Sequence, residues 1–275
     1  MKIIFAKNLG FCFGVKRAVE LSENILNKDP KPVYFWGKPI HNERVVKKIR
    51  SGEEKFITSP KQAKSGTLVI RGHGVSPFVP PKNIKIRDLT CPLVKKVQLA
   101  ARSLFKKGYQ VIIIGDKNHP EVKGIKGYTQ NKAAVIESEQ QAKRIKKIKK
   151  MGAVSQTTQD FNKVNKILKI LKKKARNFQW LNTLCPEVIS RQKELLKILK
   201  KADGVLVIGS RTSANTKRLA DIAKNSKRKV FWANSLKDLK KQRFRGIFTL
   251  GVVSGTSAPN WEIEKIKKWL DTKQK

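Results

Sequence analysis

Apolar residues along the chain fall into two alternating patterns. Short unbroken runs at Ile3–Ala6, Leu68–Ile70, Val111–Ile114, Val205–Ile208 and Phe248–Val253 predict strands. Such runs suit strands covered on both faces. Between them, apolar residues recur every three to four positions over roughly Val15–Leu26, Val94–Lys106, Phe161–Lys174, Val188–Lys200 and Asn260–Asp271, which predicts amphipathic helices. Alternation of this kind predicts an α/β protein with parallel sheets. No apolar run approaches the ~18 residues that span a bilayer. The opening Met1–Lys7 is too short and too soon interrupted for a signal peptide and reads as a first strand. A soluble, cytoplasmic protein that makes no use of a membrane is expected.

The pattern also repeats. Cys12-Phe13-Gly14-Val15, Cys91-Pro92-Leu93-Val94 and Cys185-Pro186-Glu187-Val188 each stand where a strand or loop hands over to a helix. The cysteines are about 80 and about 95 residues apart, each interval about the length of a small α/β unit. Three pseudo-repeated sub-units follow, at approximately 1–90, 91–182 and 183–275. Pro92 and Pro186 fit the first helical position, where no backbone N–H is needed. Each cysteine then lies at or near the N-cap, where free N–H groups and the helix dipole favour a thiolate. Three is an odd count, which a disulfide framework rarely uses. In a reducing compartment the thiols stay available for metal or redox chemistry. Buried structural cysteines are the alternative, but they do not require helix starts.

Charge changes this picture little. Lys and Arg number 62 against 20 Asp and Glu, a formal net charge of +42, enough to attract any polyanion. Yet in Lys143–Lys150 and Lys163–Lys174 the basic residues alternate with apolar ones, as on outward helix faces. A compositional preference for lysine accounts for that. No RNP motif, paired zinc-finger ligands or basic tail accompanies the charge, so nucleic acid is not expected as a partner.

The unusual polar residues gather after the strands, where open α/β sheets bind ligands. The three histidines, His41, His73 and His119, all lie in such loops. Ser155-Gln156-Thr157-Thr158, Gly209–Thr216 and Ser254–Pro259 are rich in small hydroxyl and amide side chains, and the last two open helices. Exposed N–H groups and hydroxyls there suit phosphate oxygens, although ordinary N-capping uses the same residues. Neither GxxxxGK[ST] nor GxGxxG is present, so nucleotide binding is not indicated.

Taken in order, Phe11–Val15, His41-Asn42, His73–Ser76, Thr90–Val94, His119–Val122, Gln156–Thr158, Cys185, Ser213–Asn215 and Gly255–Pro259 closely resemble the LytB-type family of 4-hydroxy-3-methylbut-2-enyl diphosphate reductases. The resemblance runs from the first ten residues to the last helix. It implies that 1–275 is a single catalytic unit with three α/β sub-units around a central 4Fe–4S cluster, one per chain. It implies Cys12, Cys91 and Cys185 as the cluster ligands. The implied reaction is reductive dehydroxylation of (E)-4-hydroxy-3-methylbut-2-enyl diphosphate to isopentenyl and dimethylallyl diphosphate, the last step of the non-mevalonate route. His41, His73, Ser213, Asn215 and Ser257 match diphosphate-binding positions. Ala214 stands where a serine is common and offers only its backbone N–H. His119 and Thr157 match positions near the substrate hydroxyl, and Glu121, expected in the same loop as His119, matches the proton donor. Three thiolates leave one iron without a protein ligand, a Lewis-acid position. Two electrons arriving singly imply an external donor of ferredoxin or flavodoxin type. Two other readings compete: a cluster hydro-lyase, and a basic nucleic-acid binder with structural cysteines.

Overall fold

The computed structural model describes residues 1–50, 52 and 54–273. Among them are three four-stranded parallel sheets and ten α-helices, in two compact units.

The first unit comprises Met1–Lys16, Ile40–Lys48 and Pro186–Lys275. Its sheet has the order β11 (Lys229–Ala233), β10 (Gly204–Ile208), β12 (Thr249–Ser254), β1 (Lys2–Phe5). All five residues of β10 are buried, because both faces of the sheet are covered. Val205 and Val207 pack with Leu195, Leu219 and Val253 on one side. Leu206 and Ile208 pack with Leu250, Ile263 and Ile266 on the other. Each such side chain contributes about 1.5–3 kcal/mol of hydrophobic stabilisation before conformational entropy opposes it.

The second unit comprises Arg17–Pro39 and Ile49–Cys185. One of its sheets has the order β3 (Lys55–Ile57), β2 (Val33–Trp36), β4 (Thr67–Ile70), β5 (Lys85–Asp88). The other has the order β7 (Ala134–Ile136), β6 (Gln110–Ile114), β8 (Ile148–Ser155), β9 (Ala175–Trp180). Ile113 and Val154 of neighbouring strands pack against Val97, Leu104 and Ile125.

The three sheets share one connection pattern. In each, a middle strand (β2, β6 or β10) is followed by the outer strand beside it, then by the second middle strand (β4, β8 or β12). The remaining edge strand (β5, β9 or β1) pairs with that second middle strand. For the sheet of the first unit this edge comes from the opposite end of the chain, with Ile3 level with Leu250.

The helices are α1 (Phe13–Lys28), α2 (Glu43–Ile49), α3 (Pro92–Lys106), α4 (Pro120–Gly127), α5 (Glu139–Arg144), α6 (Phe161–Lys172), α7 (Pro186–Leu199), α8 (Ala214–Asn225), α9 (Leu236–Lys240) and α10 (Asn260–Asp271). The five helices and five strands expected from periodicity are all present, with shifts of a few residues at their ends. Two expectations are corrected. Lys143–Lys150 is not one helical face: α5 stops at Arg144, Ile145 is extended and β8 begins at Ile148. Ile145 and Ile148, three residues apart, are too few to establish a helical face, and pairing with β6 and β9 selects the strand. Glu121 lies not in a loop but in the first turn of α4, with His119 as the N-cap. No helix among the described residues is long and apolar enough to cross a membrane.

Candidate active site

Every site residue expected from the sequence lies beyond the C-terminal end of a strand. His41 follows β2, His73 follows β4, His119 and Glu121 follow β6, and Thr157 follows β8. Ser213, Ala214 and Asn215 follow β10, and Ser257 follows β12. The cysteines follow the edge strands: Cys12 after β1, Cys91 after β5, Cys185 after β9. The outer strands β3, β7 and β11 carry none.

Each cysteine stands directly before a helix, and Cys91 is the N-cap of α3. The Cys91 side chain makes no capping hydrogen bond, so its sulfur is not committed to the helix. All three thiols lie outside disulfides and are half-buried. Their backbones are held in the same way. The Cys12 N–H donates to the Thr256 carbonyl at 3.1 Å, that of Cys91 to Gly72 at 3.0 Å and that of Cys185 to Thr157 at 3.0 Å. Each acceptor sits in the loop after the neighbouring middle strand, the loop carrying Ser257, His73 or Thr157. Parallel pairing of the two strands brings these loop starts side by side. A thiol outside any disulfide and at a helix start is of the kind that ligates iron as a thiolate.

In the first unit, the structure brings His41, the β10–α8 loop and Ser257 together. His41 Nδ1 lies 3.0 Å from the Thr212 carbonyl, so that nitrogen carries a proton. The Ser257 hydroxyl donates to the His41 carbonyl at 3.1 Å. Asn42 caps α2 by accepting from Arg44 N–H at 3.1 Å, and its amide donates to the Ser257 carbonyl at 2.9 Å. Ser213 caps α8, accepting from Thr216 N–H at 3.3 Å. Asn215 is 2% exposed, and neither its amide oxygen nor its amide nitrogen has a hydrogen-bond partner. Burying an unpaired amide costs roughly 1–3 kcal/mol, a cost a polar ligand would remove. Gly255 lets the β12–α10 loop approach closely, since a Cβ there would meet Thr216 Oγ1 at 1.9 Å.

Arg191 was legible only as a basic residue in a helix. It is buried and donates to the carbonyl and hydroxyl of Ser254 at 3.2 Å each, while Ser254 Oγ accepts from Gly10 N–H at 2.8 Å. It thus ties α7, the segment before Cys12 and the loop of Ser257 into one frame. A buried arginine has no sequence signal among so many exposed cations.

In the second unit, Glu121 is 1% exposed. Its Oε1 accepts from Thr157 N–H at 2.7 Å and its Oε2 from the Thr157 hydroxyl at 2.9 Å. Burial pushes its carboxyl up to about 7; the bonds from Thr157 pull down and the nearby Asp116 charge pushes further up. His119 Nδ1 accepts from Glu121 N–H at 3.2 Å, which puts the ring proton of the neutral imidazole on Nε2. The His73 and His119 rings lie edge to face, centroids 5.5 Å apart. Gly74 is required after His73: its φ is +69°, and a Cβ would meet Gln98 Nε2 at 2.4 Å. Two residues outside the expected site fix Thr157. Gln156 Oε1 accepts from Asp116 N–H at 2.9 Å, and the Thr183 hydroxyl donates to the Ser155 carbonyl at 2.9 Å.

The family model described as LytB protein matches residues 3–271. The 4-hydroxy-3-methylbut-2-enyl diphosphate reductase of Caldanaerobacter subterraneus subsp. tengcongensis is 36% identical over 274 residues, covering 97% of this chain and 95% of that protein. The enzyme of the same name from Dictyoglomus turgidum is 37% identical over 270 residues, with 97% and 95% coverage. The structure of the E-1-hydroxy-2-methyl-but-2-enyl-4-diphosphate reductase from Plasmodium falciparum superposes with a TM-score of 0.91 at 29% identity, covering 98% of this chain and 87% of that one. A solved (E)-4-hydroxy-3-methyl-but-2-enyl diphosphate reductase, described as the terminal enzyme of the non-mevalonate pathway, gives 0.68 at 33% identity, with 98% and 99% coverage. The chain belongs to the LytB protein family.

Proposed function

We propose that the chain reduces (E)-4-hydroxy-3-methylbut-2-enyl diphosphate to isopentenyl and dimethylallyl diphosphate, with 1–275 acting as one catalytic unit. One observation carries the reading beyond family membership. Each of the three cysteines is tied by its own N–H to a loop bearing a residue the reaction needs. In the reaction the allylic C–O bond breaks, two electrons and two protons enter, and water leaves.

Cys12, Cys91 and Cys185 would hold one 4Fe–4S cluster, their thiolates favoured by the helix starts. Such a cluster supplies electrons one at a time and a Lewis-acidic iron with no protein ligand. An external one-electron donor of ferredoxin or flavodoxin type would refill it.

The remaining roles belong to side chains. His41, Ser213, Asn215 and Ser257 bind the diphosphate, the Asn215 amide gaining its missing partners. Ala214 contributes its backbone N–H near the positive end of α8. His73 completes the anion-binding set. Loss of hydroxide from an allylic alcohol is unfavourable, so a proton must reach the leaving oxygen. Glu121 holds that proton near neutral pH. When Glu121 is protonated, its O–H donates to Thr157 Oγ1, and the Thr157 hydroxyl donates onward to the substrate oxygen. His119 offers Nε2–H to the same oxygen and, through Nδ1, holds the first turn of α4.

Anaerobic purification with iron and sulfide analysis, followed by turnover with and without a reductant, tests the proposal. Bound iron and sulfide in equal amounts and strictly reductant-dependent product are expected. Product formed without a donor would replace this reading with a hydro-lyase. A protein that takes up no cluster on reconstitution would remove it altogether.

A further inference from the structure

Glu43 opens α2 and is exposed, yet both of its carboxylate oxygens are engaged by the loop between β10 and α8. Oε2 accepts from the Ser210 hydroxyl at 2.8 Å, and Oε1 accepts from the Thr212 hydroxyl at 2.7 Å. The two hydroxyl oxygens lie 2.9 Å apart, and Ser210 Oγ also accepts from Thr212 N–H at 3.1 Å. Thr212 in turn offers its carbonyl to His41 Nδ1. One residue further on is Ser213, the cap of α8, and two beyond that is Asn215.

This arrangement sorts the donors of the loop. Ser210 and Thr212 direct their hydroxyl protons to Glu43 and have none left for phosphate. The Asn215 amide, in the same segment, is buried and without a partner. His41 has its Nδ1 side fixed by the Thr212 carbonyl, which turns Nε2 away from the loop backbone. We infer that Glu43 is a positioning residue for diphosphate: it clamps Ser210 and Thr212, and through them sets His41 and the start of α8. The inference rests on the diphosphate reading of this site.

A carboxylate near an anion site repels the anion. If Glu43 acted only through its charge, removing it would tighten binding. If it acts by clamping the loop, removing it loosens binding despite the relief of repulsion. The hydroxyls it releases would also be free to rotate, and that freedom must be lost again on binding.

The test is calorimetric binding of inorganic pyrophosphate to the reconstituted holoenzyme. Glu43→Ala is expected to weaken binding roughly tenfold, the scale of a lost charge-assisted hydrogen bond. Glu43→Gln retains one acceptor oxygen without the charge and should lose less. In a Ser210→Ala/Thr212→Val background the same Glu43→Ala change should shift binding by less than about twofold, because its partners are already gone. In turnover, KM for the substrate should rise with the pyrophosphate Kd while kcat stays within about twofold, since Glu121 and Thr157 are untouched. Unchanged or tighter pyrophosphate binding in both Glu43 variants would overturn the inference. So would an undiminished loss in the double-variant background. A wild-type protein that binds no pyrophosphate would overturn the diphosphate reading itself, and this inference with it. If Glu43→Ala does not fold, Glu43→Gln and the double-variant background decide.

Discussion

Asn215 and Glu121 occupy the same place in two different pseudo-repeats. Each is the second residue of a helix that follows the first middle strand of its sheet, α8 after β10 and α4 after β6. Each is almost fully buried. The protein treats them oppositely. Both oxygens of Glu121 are engaged by Thr157, whereas neither polar atom of Asn215 has a partner. A satisfied buried acid is set up to hold and release one proton. An unsatisfied buried amide is set up to receive a ligand, at a standing cost to stability. The histidines repeat the contrast: His119 accepts at Nδ1 from Glu121 N–H, while His41 donates from Nδ1 to the Thr212 carbonyl. On the proposed function, one fold unit serves proton transfer in one copy and anion binding in another.

The sharpest intervention leaves both copies intact and removes what they serve. Cys91→Ser is expected to abolish turnover and iron retention together, checked by iron analysis against thermal unfolding. Next in size is Glu121→Gln, which should preserve iron content and pyrophosphate affinity while lowering kcat by about 10²-fold or more, as loss of a general acid does. Near-normal turnover in that variant would end the proton-donor role. For Asn215→Leu the two sides of the comparison should separate. Pyrophosphate affinity should fall at least roughly tenfold, while the unfolding temperature holds or rises because a buried unpaired amide is gone. A variant that loses stability as well would mean that the amide is satisfied in the folded protein.

Titration probes the same contrast more gently. As the proposed proton donor, Glu121 must be protonated to act, so turnover should decline as pH rises through about 7. Its folded value lies above its ordinary 4.5. The associated stability is therefore fully present below pH 4.5 and is lost as pH rises through about 7. Denaturant titrations across that window should show the loss in the wild type and a flatter profile in Glu121→Gln. The smallest effect is expected at Asp29, which belongs to neither copy of the motif. Arg87 chiefly, and Lys85, hold its carboxyl down at about 2. That stability is present above pH 3.8 and is lost as pH falls through about 2. Asp29→Asn should cost on the order of 1 kcal/mol, since both cations are largely solvated, with kcat unchanged.

Much of this protein can be read from local pattern. Unbroken runs such as Val205–Ile208 marked strands covered on both faces, because only such strands stay apolar at every position. Cys91-Pro92 and Cys185-Pro186 marked helix starts, because proline is tolerated at the first helical position and not within. The polar residues clustered after the strands, where backbone ends stay open to ligands. Weak or ambiguous elements were not legible. The short α2 and the edge strands β3 and β7 carry too few residues to establish a period, and Lys143–Lys150 has only two apolar residues, Ile145 and Ile148, too few to fix one.

By itself, then, the chain determined its fold class, its threefold repetition and the kinds of group in its site, since these follow from periodicity, caps and residue chemistry within a few positions. Tertiary structure alone decided which groups meet. It brought β1 beside β12, almost the full length of the chain away, and so set Cys12 against Thr256. It buried Glu121 under Thr157, which raises its carboxyl, and left Asn215 buried without partners. It turned Glu43 from one more exposed acid into the clamp on Ser210 and Thr212. Burial and partner choice depend on contacts between residues far apart in sequence, and no local pattern encodes them.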